Sequence, residues 1–370
     1  MKLSTKYVLP GMKLARPVYG QNGELLLRKG AVLTARYIMS LRQCGILAVD
    51  IEGPVHTEEE NREVLEEEVR SNAMSVVREW TQSGGLKNYE KIAITVEVII
   101  DEILSGKEVI GNLTEICSAD MYTYAHSVDV CILSLTVGIS LGYKKAELLR
   151  LGIGGLLHDL GKTKVPVDIL NKPGKLTPAE FSEIKKHPVY GYKILMEMKE
   201  KIDYRSMSVV LDHHERYDGT GYPRGLKGSE IGEMAAICAV ADVYNAITTD
   251  RVYRKALPPH EAYEMIMASG GFMFESRVVD AFLKCVVPYP VGSVVRLSNG
   301  LVGNVCRLNQ GLPFRPVVQI FNSRIQVDLK NENSLVITGL VRPEELREIL
   351  VKGGTPDAAA SPAGRVVRNS

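Results

Sequence analysis

The stretch Leu156-Leu157-His158-Asp159-Leu160-Gly161-Lys162 decides how this chain is read. Apolar residues run into an adjacent His-Asp pair, and Gly-Lys follows at once. Leu148, Leu149, Leu151, Ile153, Leu156 and Leu157 keep a mostly apolar face, which predicts a helix entering the pair from about Lys145. Neighbouring residues on a helix point about 100° apart, so His158 and Asp159 do not converge on one small ion unaided. They can flank a pair of ions, with the carboxylate bridging. Taken alone, the pair would be read as a buried histidine satisfied by its neighbours.

The pair is not alone. The chain has seven histidines, and five of them, His126, His158, His187, His213 and His214, fall within fewer than ninety residues. Neutral imidazole and carboxylate are ligands of zinc, iron and manganese. Asp242 lies in the apolar run Ile237-Cys238-Ala239-Val240-Ala241-Asp242-Val243, where an unpaired charge is costly and a metal would satisfy it. Five imidazoles and two carboxylates exceed the needs of one tetrahedral site, so the count predicts two metals.

His158-Asp159, Lys162, His187-Pro188 and the run His213-His214-Glu215-Arg216-Tyr217-Asp218-Gly219-Thr220-Gly221-Tyr222-Pro223 resemble the HD-GYP family, a branch of the HD metal-dependent phosphohydrolases. The resemblance extends from about residue 110 to residue 260. It takes in Asn171-Lys172-Pro173-Gly174-Lys175-Leu176-Thr177 and Asp250-Arg251-Val252-Tyr253-Arg254. Several motifs in the right order make it specific, as no single one would be. It implies an all-helical catalytic domain that hydrolyses the bacterial messenger cyclic diguanylate to pGpG, GMP or both. His126, in Tyr122-Thr123-Tyr124-Ala125-His126-Ser127, matches the family's first metal histidine. Asp129, three residues on, is close enough on one face to orient that ring.

In this resemblance His126, His158, Asp159 and Asp242 hold one ion, with Asp159 bridging, and His187, His213 and His214 complete the other. Iron or manganese is expected, because imidazoles dominate the set. Two ions about 3.5–4 Å apart generate a nucleophile from water and neutralise charge on phosphoryl oxygens. Lys162 is expected to contact a non-bridging oxygen in the transition state, so that it and Asp159 are the catalytic pair. Arg251, Arg254, Gly221, Tyr222, Pro223 and Asn245 are the expected substrate contacts, an arginine fork suiting guanine or phosphate.

Two positions depart from the family. Members with a third metal carry Glu one turn before the first metal histidine; here that residue is Tyr122, which favours two ions. The position three after Asp242 is often Asp and is here Asn245, which removes a negative charge near the expected surroundings of Lys162. All seven expected ligands are present, which argues against a degenerate pseudo-enzyme. The alternatives are hydrolysis of another cyclic dinucleotide or nucleotide, and a non-catalytic cyclic-diguanylate sensor. The ligand set and Lys162 weigh against the sensor, and the Gly221-Tyr222-Pro223 loop favours cyclic diguanylate.

Length and composition set the frame. At 370 residues the chain has room for two or three domains and a sizeable core. Lys and Arg total 45 against 44 Asp and Glu, a formal net charge of +1, so no basic field marks a nucleic-acid polymer as partner. Cys44, Cys117, Cys131, Cys238, Cys285 and Cys306 are scattered, which predicts reduced thiols and not a disulfide frame or zinc ribbon. Met1-Lys2-Leu3-Ser4-Thr5-Lys6 lacks a signal peptide's apolar stretch, and runs such as Val130–Leu141 are too short and polar to span a bilayer. A cytoplasmic protein without membrane insertion is expected.

Along the chain, turn signals at Pro10-Gly11, Gly20-Gln21-Asn22-Gly23 and Lys29-Gly30 predict a small β-rich module over 1–55, with one helix near Ala35–Cys44. A Glu-rich, Pro-free stretch to Trp80 predicts an exposed helical linker within 56–88, with His56 at the surface. The catalytic domain is expected over 89–287, with Ala125–Leu141 helical, a helix starting at Thr177-Pro178 and ending at His187-Pro188, and His260 exposed. Gly155 and Gly161 enclose five residues where a P-loop needs four, so these glycines are read as close-packing positions. β-type runs at Gly292–Leu297, Val302–Leu308, Val317–Phe321 and Ile325–Leu329 predict a small C-terminal barrel over 288–341. A short helix over Arg342–Val351 and a disordered tail complete the expected order. Protein partners are expected through the N- or C-terminal modules, and a homodimer is a separate expectation.

Overall fold

The computed structural model describes residues 2–5, 8, 10–20, 24–44, 46, 48–52, 67–83, 89–105, 119–172, 174–249, 256–321, 323, 325–341 and 345. His56, Arg251, Arg254, nearly all of the helix expected over Arg342–Val351 and the tail beyond it lie outside these residues.

Near the N-terminus, β1 (Lys2–Ser4) pairs antiparallel with β4 (Ala48–Asp50), and β2 (Val18–Tyr19) with β3 (Leu25–Leu27). Helix α1 (Ala35–Gln43) starts at Thr34, whose hydroxyl accepts from the Tyr37 N–H. Leu14, Leu33 and Ile51 close a small core of their own.

Among the described residues ten further helices follow: α2 (Glu67–Gln82), α3 (Tyr89–Leu104), α4 (Ala119–Ser140), α5 (Lys145–Leu157), α6 (Val167–Leu170), α7 (Pro178–Ile184), α8 (His187–Met196), α9 (Tyr204–Asp212), α10 (Glu233–Thr248) and α11 (Pro259–Ala268). Helix α12 (Ser276–Cys285) ends the helical part. Helix α5 runs through its middle because its glycines let three neighbours approach. A Cβ on Gly152 would stand 2.5 Å from Val96 of α3, and one on Gly154 would stand 2.6 Å from Val209 of α9. Residues Ala235 to Val240 of α10 are buried on every side, as expected for a helix enclosed by others.

Two expectations are corrected here. Helix α2 is not an exposed linker: Arg70, Ala73, Val77 and Trp80 are buried at spacings of three, four and three residues, against α3 and α4. That stripe was hidden behind the glutamates that precede it. The helix starting at Pro178, with Thr177 and Glu180 forming its capping box, ends at Ile184 and not at His187. His187 opens α8, with Pro188 in its first turn, where a missing N–H costs nothing.

Beyond α12, β5 (Val294–Leu297), β6 (Val302–Arg307), β7 (Val317–Ile320), β8 (Gln326–Asp328) and β9 (Ile337–Leu340) form an antiparallel sheet in the order β8-β7-β6-β5-β9. Among the described residues β8 and β9 are not paired with each other, so the expected barrel is not closed. Strand β9 was absent from the sequence reading because Gly339 breaks its apolar run. His260, expected at the surface, is half-buried and stacks on Tyr289 with ring centroids 5.1 Å apart, where the helical part meets this sheet. Among the described residues no helix is long and apolar enough to cross a membrane.

The tightest backbone approach is at Gly161. A Cβ there would lie 1.8 Å from the His187 carbonyl oxygen and 2.4 Å from the Gly191 nitrogen. Both obstacles are backbone and cannot rotate away. Gly161→Ala is expected to destabilise the protein by roughly 2–3 kcal/mol in denaturant unfolding. Gly270→Ala, whose new Cβ would make only ordinary contacts from 3.6 Å outward, should change stability by less than about 0.5 kcal/mol.

Candidate metal centre

The His-Asp pair sits where α5 stops. His158 is the C-cap of α5, and Asp159 precedes a short 3-10 helix over Leu160–Lys164, so the two residues are not on one regular helix. The change of backbone direction lets both side chains reach the same pocket. Gly161 then allows the N-terminus of α8, and with it His187, to lie against this turn. Helix α9 delivers His213 at its C-cap and His214 just beyond. His126 comes from α4, and Asp242 from the enclosed α10.

Three of the imidazoles are held by one device. Nδ1 of His158 donates to the Gly155 carbonyl at 2.7 Å, Nδ1 of His187 to Ile184 at 2.8 Å, and Nδ1 of His213 to Val210 at 2.9 Å. A carbonyl only accepts, so each Nδ1 carries a proton, and in the neutral ring each Nε2 presents a lone pair to the pocket. His187 Nε2 and His213 Nε2 then face each other at 3.3 Å with no proton between them in the neutral state. His158 Nε2 and Asp159 Oδ1 are buried without a hydrogen-bond partner. Lone pairs gathered this way fit a cation, the usual resolution for buried groups that cannot satisfy one another.

The carboxylates complete the gathering. Asp242 Oδ1 lies 3.0 Å from His126 Nε2, and Asp242 Oδ2 lies 3.8 Å from His214 Nδ1. Asp159 Oδ1 lies 3.4 Å from His187 Nε2, and its Oδ2 lies 3.4 Å from His158 Nε2. Among the described residues, three groups have ligand atoms within 4.8 Å of one another: Asp159, His187, His213 and His214; His126, His158 and Asp159; His158, His213 and Asp242. Asp159 is common to the first two, and all seven expected ligands are brought together.

Burial pushes His213 well below the usual imidazole range, His187 down to about 3 and His214 to about 4. Burial also opposes charge on His158, but the Asp159 and Asp242 carboxylates overcome it and raise that group. Asp159 is held well below the carboxylate range despite its burial, by Lys162 and His158, and Asp242 likewise by His126, His158 and His214. Neutral His187, His213 and His214 beside ionised carboxylates are the protonation states that ligation needs.

Lys162 Nζ donates to Asp159 Oδ2 at 2.6 Å, and its side chain is 34% exposed against 4% for Asp159. The ammonium therefore sits on the open side of the carboxylate. Behind His126 lies a layer that the sequence reading placed wrongly. Asn245, expected to touch substrate and to border Lys162, is 2% exposed and accepts from His126 Nδ1 at 2.6 Å. Its Nδ2 donates to Asp129 at 3.3 Å, so Asp129 reaches the ring through Asn245. Arg70 of α2 donates to Asp129 at 3.1 and 2.7 Å.

The loop after His214 is folded back on it. The Tyr222 N–H donates to the His214 carbonyl, and the Tyr222 ring lies 4.7 Å from the His214 ring. A Cβ on Gly221 would come within 2.3–2.6 Å of backbone atoms of His214, Glu215 and Arg216, so only glycine fits. The peptide between Tyr222 and Pro223 is cis. Glu215 accepts from the N–H groups of Arg224, Gly225 and Leu226, and Arg224 pairs with the buried Asp212. Lys185 spans the Phe181 and Tyr222 rings, 4.9 and 5.2 Å from their centroids. Arg70, Arg224 and Lys185 went unnoticed in the sequence because a single charged residue carries no spacing signal.

The fold and site define an HD-type helical domain, and residues 97–278 match the HD domain family. The motifs quoted above resemble those of the HD-GYP branch of that family. It is 37% identical over 271 residues to a cyclic di-GMP phosphodiesterase of Pseudomonas aeruginosa, covering 71% of this chain and 65% of that protein. It is 32% identical over 190 residues to a 3'3'-cGAMP-specific phosphodiesterase of Vibrio cholerae, covering 51% of this chain and 36% of that protein. Among solved structures, an HDG"Y"P protein from Bdellovibrio bacteriovorus aligns over 76% of this chain and 98% of its own, with 18% identity and a TM-score of 0.48. The chain thus spans less than two thirds of the length of these two phosphodiesterases.

The depressed histidines set the acid response of the metal-free protein. His187, His213 and His214 bind protons in the unfolded chain below about pH 6.5 but not in the folded one until near their lowered values. Their contribution to stability is complete above about pH 6.5 and is lost as pH falls below it. The midpoint of thermal unfolding should fall from pH 7 to pH 5 without metal, and fall less over that range when divalent cation is present.

Proposed function

We propose that the chain is a binuclear metal phosphodiesterase that hydrolyses cyclic diguanylate to pGpG, GMP or both. One observation carries the metal part: the lone pairs of His187 and His213 meet at 3.3 Å, beside the unpartnered His158 Nε2 and Asp159 Oδ1. The names of the related proteins support the substrate. His126, His158, Asp159 and Asp242 would hold one ion, and His187, His213 and His214 the other, with Asp159 shared. Iron or manganese suits so many imidazoles better than magnesium. When bound, the ions supply a nucleophile from water at neutral pH and neutralise charge on the phosphate.

The remaining residues bind and orient. Lys162, which donates to Asp159 Oδ2, would also donate to a non-bridging phosphoryl oxygen of the substrate. Gly221, Tyr222 and Pro223 form a wall beside His214, and the Tyr222 ring is a surface for a base. Arg251 and Arg254 are assigned to guanine or phosphate by their family positions. Asn245 is withdrawn as a substrate contact, since it stands behind His126.

A second reading, hydrolysis of a mixed cyclic dinucleotide, is favoured by the resemblance to the 3'3'-cGAMP-specific enzyme. Metal-loaded protein incubated separately with cyclic diguanylate, 3'3'-cGAMP and cyclic diadenylate, with products resolved by chromatography, tests both. Fastest turnover of cyclic diguanylate is expected. Faster turnover of 3'3'-cGAMP would give the second reading, and binding without any product would make the protein a sensor.

Lys162→Ala should bind the dinucleotide nearly as before and lose about 10²–10³ in kcat, the scale of one electrostatic transition-state contact. Unchanged kcat would reduce Lys162 to a charge partner of Asp159. Arg251→Ala should raise KM for cyclic diguanylate by an amount equivalent to about 1.5–3 kcal/mol with kcat largely intact. It should leave bis(p-nitrophenyl) phosphate, which offers no base, almost unaffected; equal losses on both substrates would place Arg251 in the catalytic machinery.

A further inference from the structure

We infer that Arg70, on α2, is a positioning residue for the metal ligand His126, acting through Asp129 and Asn245. All four side chains are buried, at 5%, 3%, 2% and 4% exposure for Arg70, Asp129, Asn245 and His126. The inference rests on the metal-centre reading above, because it concerns which nitrogen of His126 is offered to an ion.

The chain of donors and acceptors runs in one direction. Arg70 has donors only, and both its Nε and Nη2 are aimed at Asp129 Oδ1. An ionised Asp129 has acceptors only, and its other oxygen faces Asn245. Asn245 must therefore turn its NH2 toward Asp129 and its carbonyl toward His126. A carbonyl at 2.6 Å requires the proton on His126 Nδ1, which leaves the Nε2 lone pair pointing at Asp242 and the pocket. The reversed amide would place NH2 against Nδ1, demand an unprotonated Nδ1 there, and put the proton on Nε2, where it blocks ligation. His158, His187 and His213 need no such chain, since backbone carbonyls fix their tautomers directly. His126 is the one among these four whose tautomer is set by a side chain that can be read in two orientations.

Arg70 is what makes the correct orientation the stable one. Burial raises Asp129 above the usual carboxylate range, and the Arg70 guanidinium, its ionic partner, pulls it back toward the ionised form. Remove that charge and Asp129 gains a neutral form that can donate to Asn245, so either amide orientation becomes possible. The residue comes from a helix whose remaining buried side chains, Ala73, Val77 and Trp80, belong to the hydrophobic core. Among the described residues, helix α2 reaches the centre through Arg70 and Asp129.

The test compares Mn²⁺ affinity, measured by competition with a chromophoric chelator, in the full chain and four variants. Arg70→Met keeps the apolar stem and removes the charge; it should weaken the tighter-bound equivalent of Mn²⁺ or its partner by about 10–100-fold, the scale for the partners of metal ligands. Arg70→Lys, which retains the charge without the fork, should recover most of that loss. Val77→Ala loosens α2 without touching these hydrogen bonds and should shift affinity by less than about threefold. If Arg70→Met does not fold, Arg70→Met/Asp129→Asn removes both buried charges together and should show the same weakening in folded protein. Wild-type affinity in folded Arg70→Met or in the double variant would overturn the inference, as would equal weakening by Val77→Ala. Failure of the wild-type chain to bind Mn²⁺ would overturn the metal-centre reading itself, an outcome separable from the others because it precedes any substitution.

Discussion

The structure depends on keeping protons away from one small volume. Five imidazoles and two carboxylates are gathered there, and burial alone would make them repel or cross-protonate. The resolution is to commit the protons elsewhere: three Nδ1 groups donate to carbonyls three residues back, and the fourth to Asn245. Each commitment needs a helix end at a particular place. His158 and His213 are C-caps and His187 opens a helix, so the local carbonyls remain available to a side chain. The ends of α5, α9 and the beginning of α8 are thus chemical requirements of the centre as much as features of the fold.

Packing serves the same end. Gly161 brings the His187 turn against the His158-Asp159 turn, and Gly221 lets the following loop fold onto His214. In both places the obstacle to a larger residue is backbone, so the spacing between ligand-bearing segments is set by main chain and does not drift with side-chain rotamers. The apolar helices around them exclude water, which strengthens every charge interaction inside.

The His/Asp cluster was legible in the sequence because histidines are rare and occur here in short, ordered motifs. Helix α5, the β-runs at 294–328 and the helix start at Thr177-Pro178 were likewise visible as periodicity or spacing. What stayed hidden was relational. Arg70 lies 59 residues from Asp129, and Asn245 lies 119 from His126, and no local pattern joins them. Helix α2 looked like an exposed linker because its acidic approach outweighed three buried apolar residues. Asn245 was an expected substrate contact under the family resemblance, whereas α10 turns it to the back of His126.

The central claim is that seven residues form one centre for two ions, with Asp159 belonging to both. Elemental analysis of anaerobically purified protein, set against a concentration from quantitative amino-acid analysis, tests it most directly. The account predicts close to two equivalents of iron, manganese or their sum per chain in the native protein, and loss of both ions in Asp159→Ala. One equivalent or none in the native protein would contradict it, as would a variant without Asp159 that still holds two, and a value near three would show that Tyr122 does not limit the centre to a pair.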